Sequence, residues 1–273
     1  LKPFWFNLFK SGFLFRTPRA LAARPCICSR SNILVASLMA KQIPGAKFYY
    51  TSPGAPNPRL VDMFAAEKGI DLASIARTLT IGRGRDDDSR AAESLRRNPV
   101  GSLPYMEFAD GGVLAETVAI CELMEDVVPE PALFGCTARE RADSRMWQRR
   151  IEQLIVLNQF SAFRFGPAVK FFESRMPVIP EAAAKLRETA KTNLKWLDDL
   201  MVKSGSPDWI NGKFFSIADL QLFCSLDFFN AQGQPLIKEL GETVQWLPGW
   251  FARCHSRPSA AKSDPKRAST AKL

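Results

Sequence analysis

The stretch KFYYTSPGAPNPRLVDMFAAEKGI (residues 47–70) decides the fold. Its first residues, KFYYTS, are typical of a β-strand, and PGAPNP is a turn that contains three prolines. Asn57 is a good helix cap and Pro58 suits the first helical position, so a helix is expected to begin here. Gly69 marks its end, since glycine readily adopts the left-handed conformation there. A strand followed closely by a helix predicts an α/β domain.

The next sixty residues continue this alternation. A second strand is expected over 75–81, and a polar loop then leads to a short helix over 90–97. LPYMEF, the turn ADGG and VLA (103–115) form a predicted β-hairpin. The pair Glu116-Thr117 then opens another helix. The predicted order is therefore β-α-β-α-β-β-α.

This α/β domain is expected over residues 46–128, with a proline-rich linker over 129–136 and an all-helical domain over 137–258. Apolar residues at helical spacing define two faces of the later helices, one formed by Trp147, Ile151, Leu154, Ile155 and Asn158 and the other by Ala183, Leu186, Ala190, Leu194, Leu197 and Met201. Ser216 and Asp219 have the spacing of a capping box, so both are predicted to be structural.

The positive charge of the chain is concentrated at its two ends. The sequence has 37 Lys and Arg against 28 Asp and Glu, a formal net charge of +9. Outside residues 1–38 and 253–273 there are 25 basic and 27 acidic residues. A basic groove for nucleic acid is therefore not expected. No membrane span is expected either, because no apolar run reaches the roughly 20 residues that a spanning helix needs.

Cysteine and histidine usage argues against metal or nucleophilic centres. The six cysteines include no C-x-x-C pair, and His255 is the single histidine. We therefore expect no metal site and no Ser-His or Cys-His catalysis, and we place His255 at the surface. Cys121 and Cys224 lie in apolar helical patterns and are predicted core residues. Of Tyr49 and Tyr50, one is expected in the core and one at the surface.

Both termini are excluded from the predicted fold. Residues 1–45 are excluded because their acid-free part, residues 1–38, is either an organelle transit segment or, if Met39 is the start, untranslated sequence. Residues 259–273 are predicted to be a basic, disordered tail. They end in Ala-Lys-Leu (271–273), which resembles a variant of the peroxisomal Ser-Lys-Leu signal. The cytoplasm is the first expectation, and the peroxisome or another organelle is the alternative.

Five segments in register resemble the glutathione transferase superfamily. They are the stretch quoted above, NPVGSLPYMEFADGGVLAETVAICELMED (98–126), ERADSRMWQRRIE (140–152), NGKFFSIADLQLF (211–223) and SRPSA (256–260). The first strand and turn are most similar to bacterial-type transferases. The resemblance implies a thioredoxin-like domain followed by an all-helical domain. It also implies glutathione as co-substrate, a hydrophobic electrophile as partner, a homodimer and a role in detoxification.

The resemblance assigns thiol activation to the start of the first helix. A glutathione thiol has a pKa near that of cysteine, about 8.5, so its thiolate must be stabilised at neutral pH. A helix N-terminus can do this, and we expect the Arg59 and Leu60 amides to be free there. Ala55 stands where a catalytic Ser or Cys often stands in related classes, and it cannot donate a hydrogen bond. The remaining candidates are Asn57, which is the first choice although it could merely cap the helix, and Ser52 or Thr51 at the strand end.

The same resemblance assigns residues that hold glutathione. Leu103-Pro104 matches the cis-proline position, where the residue before proline pairs its backbone with the cysteinyl group. Glu116-Thr117 matches a Glu-Ser pair in which the acid binds the γ-glutamyl ammonium and the hydroxyl binds the carboxylate. Arg90 matches a basic position for the glycyl carboxylate, with an ordinary surface charge as the alternative. Aromatic residues that could line the electrophile pocket, or else belong to the core, are Trp147, Phe160, Phe163 and Phe165.

The function that this resemblance implies is a glutathione transferase, which activates the thiol at a helix start for attack on an electrophile. One alternative is glutathione-dependent reduction of disulfides or peroxides. The other is a non-catalytic binding module of the same fold, which Ala55 keeps open.

Overall fold

The computed structural model describes residues 41–82 and 87–264. The predicted transit or untranslated segment and the terminal Ala-Lys-Leu lie outside these residues. Within the described part, no helix combines the length and the apolar character needed to cross a membrane.

The first half of the fold is a four-stranded mixed sheet with three helices. Its elements are β1 (Ala46–Thr51), α1 (Pro56–Lys68), β2 (Ala76–Thr78), α2 (Ala92–Arg97), β3 (Tyr105–Phe108), β4 (Val113–Ala115) and α3 (Thr117–Val127). The strand order is β2-β1-β3-β4, in which β1 runs parallel to β2 and antiparallel to β3, and β3 and β4 form a hairpin. The predicted thioredoxin-like order is confirmed.

The second half is helical, as predicted. Its helices are α4 (Ala138–Arg150), α5 (Leu157–Phe165), α6 (Val169–Phe172), α7 (Ala183–Lys203), α8 (Ile217–Ala231), α9 (Leu236–Leu240), α10 (Leu247–His255) and α11 (Pro258–Lys262). A π-helical segment, Ile151–Val156, joins α4 to α5 without a break. Residues from both halves contribute to one main hydrophobic core, which includes the predicted core thiols of Cys121 and Cys224.

The π-helical segment changes which side chains face that core. Its hydrogen bonds run from residue i to i+5, so each turn holds more residues than an α-helical turn. Ile151 and Ile155 are buried as predicted, but Leu154 is 36% exposed. The prediction for Leu154 was wrong because it assumed α-helical spacing throughout this stretch.

Helix α1 begins two residues earlier than the sequence predicted. Ala55 is the capping residue, with extended backbone angles and no side-chain cap, and Pro56 occupies the first helical position. The prediction that Asn57 caps the helix was wrong, because the fixed φ of Pro56 suits that position as well as the φ of Pro58 does. The predicted end is confirmed, since Gly69 has a left-handed φ of 65°.

The fold also begins before residue 46. Lys41 forms an isolated parallel bridge with Ile70, and its amide donates to the Gly69 carbonyl at 3.0 Å. Ile43 is buried in the main core. The prediction that every residue up to 45 lies outside the fold was therefore wrong for residues 41–45.

Helix α11 replaces the first part of the predicted disordered tail. Arg257, just before it, donates to both carboxylate oxygens of Glu67 on α1, at 2.7 and 2.8 Å. The Ser259 hydroxyl donates to the same carboxylate, and Ala260 is buried in the core. The tail prediction was wrong for residues 259–262 because these contacts attach the chain to α1.

Both tyrosines of β1 are buried, Tyr49 with 1% and Tyr50 with 7% of its surface exposed. Tyr50 stacks on Tyr105 of β3 with ring centroids 4.5 Å apart, and its hydroxyl donates to Glu107 at 3.1 Å. The expectation of one surface tyrosine was wrong because a second apolar cluster, which includes Leu103, covers that face of the sheet.

Helix α8 is anchored by the buried carboxylate of Asp219. One of its oxygens accepts from the Ile210 amide at 3.0 Å and from the Trp250 indole at 2.9 Å. The other accepts from the Ser216 amide at 3.0 Å and from the Ser216 hydroxyl at 2.8 Å. The predicted capping box is present, and its acid also joins α8 to two other segments.

Replacing this carboxylate should destabilise the whole chain. We expect Asp219→Ala to lower the free energy of unfolding by about 3 kcal/mol, because it removes four hydrogen bonds and leaves buried donors without a partner. Urea unfolding followed by tryptophan fluorescence measures the change. The control is Asp199→Ala on α7, whose carboxylate pairs with Lys195 at the surface, and its loss should stay below about 1 kcal/mol. Equal losses would contradict the anchoring role.

Candidate functional site

A cleft of about 540 Å³ lies between the start of α1 and the helical half. From the sheet half it is lined by Ala55, Pro56, Asn57, Pro58, Ile81, Ser89, Arg90, Val100, Gly101, Ser102 and Leu103. From the helical half it is lined by Phe160, Phe163, Arg164, Ala168, Phe171, Phe172, Arg175, Met176, Phe228 and Gln232. This lining contains three arginines and no carboxylate, so the cleft favours anions. In the described residues, no group of acidic, His and Cys side chains could hold a metal ion.

The start of α1 offers the cleft a single backbone donor. Pro56 and Pro58 have no N–H, and the Arg59 amide donates to the carbonyl of the capping residue at 3.2 Å. Leu60 lies beyond the first turn, where α-helical hydrogen bonding uses the amide. The expectation that the Arg59 and Leu60 amides are free was therefore wrong, because the helix begins earlier. Only the Asn57 amide is left among the described residues of this turn.

The sheet register gathers most of the predicted binding residues at one edge. The pairing of the three neighbouring strands β1, β3 and β4 runs through Tyr50, Tyr105 and Ala115, which lie side by side. Beyond this row lie Ser52, which follows the last residue of β1, Leu103-Pro104 before β3 and Glu116-Thr117 after β4. These five residues therefore share the edge of the sheet that is next to the start of α1.

Two residues at this edge have unusual backbones. The Leu103–Pro104 peptide bond is cis, and neither the amide nor the carbonyl of Leu103 is hydrogen-bonded within residues 41–82 and 87–264. Glu116, which precedes α3, has φ 72° and ψ 118°, a region that costs a non-glycine residue about 1–3 kcal/mol. Such strain is concentrated at functional sites.

The predicted site residues do not all line the cleft. Asn57, Leu103 and Arg90 are in its lining, whereas Ser52, Pro104, Glu116 and Thr117 are not. Of the four aromatic residues considered for the electrophile pocket, Phe160 and Phe163 are in the lining and Trp147 and Phe165 are not. Trp147 packs against the main core, because α4 lies away from the cleft.

Arg90 lies beside a glycine that gives it room. Gly101 has φ +67°, and a Cβ built there would lie 3.2 Å from the Arg90 side chain. The Arg90 guanidinium is exposed and donates to the backbone carbonyl of Arg175 at 3.3 Å. Glycine suits position 101 for two reasons: its backbone is left-handed, and the Arg90 side chain approaches it closely.

Arg175 joins the two sides of the cleft. Its guanidinium forms an ion pair with the buried carboxylate of Asp87 and donates to the Gly82 carbonyl and to the Ser89 hydroxyl, each at 3.1 Å. The Ser89 hydroxyl in turn donates to Asp87 at 2.5 Å. Burial lowers the pKa of Arg175, and the Asp87 charge opposes this effect. The positive charge of Arg175 is thus already balanced within the protein.

Comparison with known proteins agrees with this architecture. A family model described as glutathione S-transferase, N-terminal domain, matches residues 55–127. Glutathione S-transferase 2 of Saccharomyces cerevisiae is 26% identical over 221 residues, which cover 78% of this chain and 87% of the yeast protein. The crystal structure of Gtt2 from the same organism superposes with a TM-score of 0.69 at 25% identity, over 79% of this chain and 99% of that one. The chain belongs to the glutathione S-transferase superfamily.

Membership of this superfamily confirms the resemblance found in the five sequence segments. A further relative is FtsZ-localized protein A of Caulobacter vibrioides, which is 26% identical over 165 residues, 59% of this chain and 69% of that protein. One relative of this chain is therefore named for its location and not for an enzyme activity.

The helical side of the cleft contains arginines that the sequence reasoning missed. Arg164 and Arg175 lie outside the five segments that carry the superfamily resemblance. A signal was available for Arg164, which stands between Phe163 and Phe165, because a charged residue inside an apolar run needs a partner or water. Arg175 had no such signal, since its partner Asp87 is far away in the sequence.

The ion pair between Arg175 and Asp87 should contribute strongly to the stability of this chain. We expect Arg175→Met to lower the free energy of unfolding by about 3 kcal/mol, because it leaves the Asp87 carboxylate buried and unpaired. The double variant Asp87→Asn/Arg175→Met should lose less than the sum of the two single variants, as chemical unfolding would show. The exposed pair Arg139–Asp143 is the control, and Arg139→Met should change stability by less than about 1 kcal/mol. Additive losses at Asp87 and Arg175 would contradict the pairing.

Proposed function

We propose that this chain is a glutathione transferase that binds glutathione along the sheet edge and activates its thiol at the start of α1. The observation that carries the proposal is the convergence on one cleft of the α1 start at Asn57, the unpaired backbone of Leu103 and the basic side chain of Arg90. Glutathione needs these three features, which are a thiolate-stabilising donor, a backbone partner and a cation for a carboxylate.

The tripeptide is held by residues on three elements. The Glu116 carboxylate binds the γ-glutamyl ammonium, and the Thr117 hydroxyl with the first amides of α3 binds its carboxylate. The Leu103 backbone pairs with the cysteinyl group, and Arg90 binds the glycyl carboxylate. The strained backbone of Glu116 supports this role, because strain of this size persists where function requires a fixed geometry.

Thiol activation rests on Asn57. Its side chain is exposed and forms no hydrogen bond with the described residues, so it is free to donate to sulfur. Among the described residues, its backbone amide is the one free donor of the first turn. The partial positive charge of the helix start acts in the same direction. Ser52 is the second candidate, at the end of β1.

The chemistry that follows is a displacement or an addition on a hydrophobic electrophile. The thiol proton leaves to solvent, the thiolate forms a carbon–sulfur bond, and a leaving group departs with the bonding electrons where the electrophile has one. Holding both reactants in one cleft supplies proximity. The proposal includes a cytoplasmic homodimer that acts in detoxification, as the superfamily resemblance implies.

A non-catalytic binding module is the second candidate function. Two observations favour it: Ala55 offers no side-chain donor, and the two prolines leave a single amide at the α1 start. In addition, the relative FtsZ-localized protein A is named for its location and not for an enzyme activity. A pH titration of bound glutathione separates the two candidates.

The thiol of bound glutathione should ionise below its usual pKa. We expect the midpoint of the thiolate ultraviolet absorbance to lie at least one unit below that of free glutathione, about 8.5. Asn57→Ala should raise this midpoint by about one unit, because it removes a hydrogen bond to the anion. Asn230→Ala, on α8 and outside the cleft lining, is the control and should leave the midpoint unchanged. Binding without any shift would favour the binding module.

Binding of the tripeptide should depend on the charge of Glu116. We expect Glu116→Gln to raise the Kd for glutathione about tenfold, because the amide keeps the shape but loses the attraction for the ammonium. Isothermal titration calorimetry measures the affinity. As the control, Asp126→Asn removes an exposed charge from α3, the helix that follows Glu116, and should have little effect on the Kd. Unchanged affinity in the Glu116 variant would remove Glu116 from the site.

A further inference from the structure

We propose that the helical side of the cleft binds a planar, negatively charged co-substrate, such as an aromatic acid, and that Arg164 recognises its anionic group. This inference rests on the proposed function and adds the chemical class of the second substrate. It follows from the surroundings of Arg164 and from the charge balance of the cleft.

Arg164 is a cation enclosed by aromatic rings. Its guanidinium lies 5.3 Å from the centroid of the Phe160 ring and 5.5 Å from that of Phe172. Phe163 packs edge-to-face against both Phe172 and Phe228, at centroid distances of 6.5 and 5.8 Å. These rings form an apolar wall that suits a flat, unsaturated ligand.

The guanidinium of Arg164 has no anionic partner in the part of the chain that the structure describes. Its Nε atom is fully buried without a hydrogen bond, and no ion pair joins it to a described carboxylate. Burial and the nearby charge of Arg175 lower its pKa. A half-buried cation left in this state is costly unless an anion completes the site.

The neighbouring arginines are used differently. Arg175 is balanced by Asp87, and Arg90 is exposed beside Gly101 at the sheet side of the cleft. Since no acidic residue lines the cleft, the charge of Arg164 is available to a ligand. A carboxylate can meet a guanidinium with two parallel hydrogen bonds, which is a strong and geometrically specific contact.

The chemistry is illustrated by an aryl halide that carries an acid, such as 4-chloro-3,5-dinitrobenzoate. The glutathione thiolate forms a bond to the ring carbon that bears chlorine, and chloride leaves with the electrons of the broken bond. The thiol proton goes to solvent, and the carboxylate remains on Arg164 without taking part. Arg164 is thus a specificity residue in this reaction.

The test compares two unreactive ligands that differ in one charged group, 3,5-dinitrobenzoate and 1,3-dinitrobenzene. Their Kd values are measured by isothermal titration calorimetry on the full chain with saturating S-methylglutathione, which occupies the carboxylate sites of the tripeptide. The variants are Arg164→Gln, which removes the charge, and Arg164→Lys, which keeps it. Lys170→Gln removes an exposed charge from the neighbouring helix α6 and serves as the control.

We expect the unmodified chain to bind the benzoate about tenfold more tightly than the neutral compound. Arg164→Gln should abolish that preference and leave the Kd of 1,3-dinitrobenzene within about twofold. Arg164→Lys should keep part of the preference, and Lys170→Gln should keep all of it. Equal Kd values for both ligands, or a preference that survives Arg164→Gln, would overturn the proposal. A parallel loss for both ligands would do so too, by assigning Arg164 to packing.

Turnover separates this inference from the proposed function. Failure of the unmodified chain to conjugate glutathione with 1-chloro-2,4-dinitrobenzene or with 4-chloro-3,5-dinitrobenzoate would count against the transferase, while the binding preference would still decide the role of Arg164. With activity present, Arg164→Gln should raise the KM for the benzoate about tenfold and leave the KM for glutathione unchanged. A rise in the KM for glutathione instead would assign Arg164 to the tripeptide and overturn the proposal.

Discussion

The contact between α1 and α8 fixes the position of the helix start on which the cleft depends. The Cys224 thiol of α8 lies 3.9 Å from the Met63 sulfur of α1 in the core. Nearer the cleft, the buried Arg59 of α1 forms an ion pair with Asp227 of α8, and His255 contributes a second contact to that carboxylate at 2.9 Å. His255 is exposed, as the sequence predicted, but it has this partner. Because both helices are held along their length, the turn at the α1 start cannot shift without disturbing the core.

Buried carboxylates hold the helices that support this contact. Asp219 secures the start of α8, and Asp198 of α7 accepts hydrogen bonds from the amides of Gln245, Trp246 and Leu247, at 2.8–2.9 Å, at the start of α10. Each acid satisfies amides that a helix start leaves without partners, and each comes with contacts to another part of the chain. The helical half is therefore joined by directional bonds as well as by apolar packing, and this fixes the aromatic wall that faces α1.

The sequence predicts well what local chemistry determines. The end of α1 at Gly69 and the capping box of α8 follow from residues within one helical turn of the feature. The burial of Tyr50 does not, because it depends on a cluster with Leu103 from elsewhere in the chain. The exposure of Leu154 could not be predicted from the sequence either, because a π-helical segment has no simple sequence pattern. The candidate site divides in the same way: the sheet-edge residues lie in short motifs, whereas the arginines of the helical side depend on how distant helices meet.

The two prolines at the α1 start have a consequence for the charge of the cleft. They leave the peptide dipoles of the helix in place but reduce the hydrogen-bond donors of its first turn to the Asn57 amide. In the proposed transferase, a thiolate there would depend on the Asn57 side chain and on the positive charge of the cleft more than it would at a helix start with three free amides. A negatively charged co-substrate would repel that thiolate at short range, and the repulsion would be strong where water is excluded.

Arg164 would offset this repulsion, because its charge, unlike that of Arg175, is not balanced by a described carboxylate. Coupling between two bound anions is reciprocal. Without neutralisation by Arg164, a bound acid would raise the pKa of the thiol, and the thiolate would weaken the binding of the acid by the same free energy. In the proposed reaction, an uncompensated arginine on the aromatic side would therefore allow one cleft to hold an ionised thiol and an acidic electrophile together.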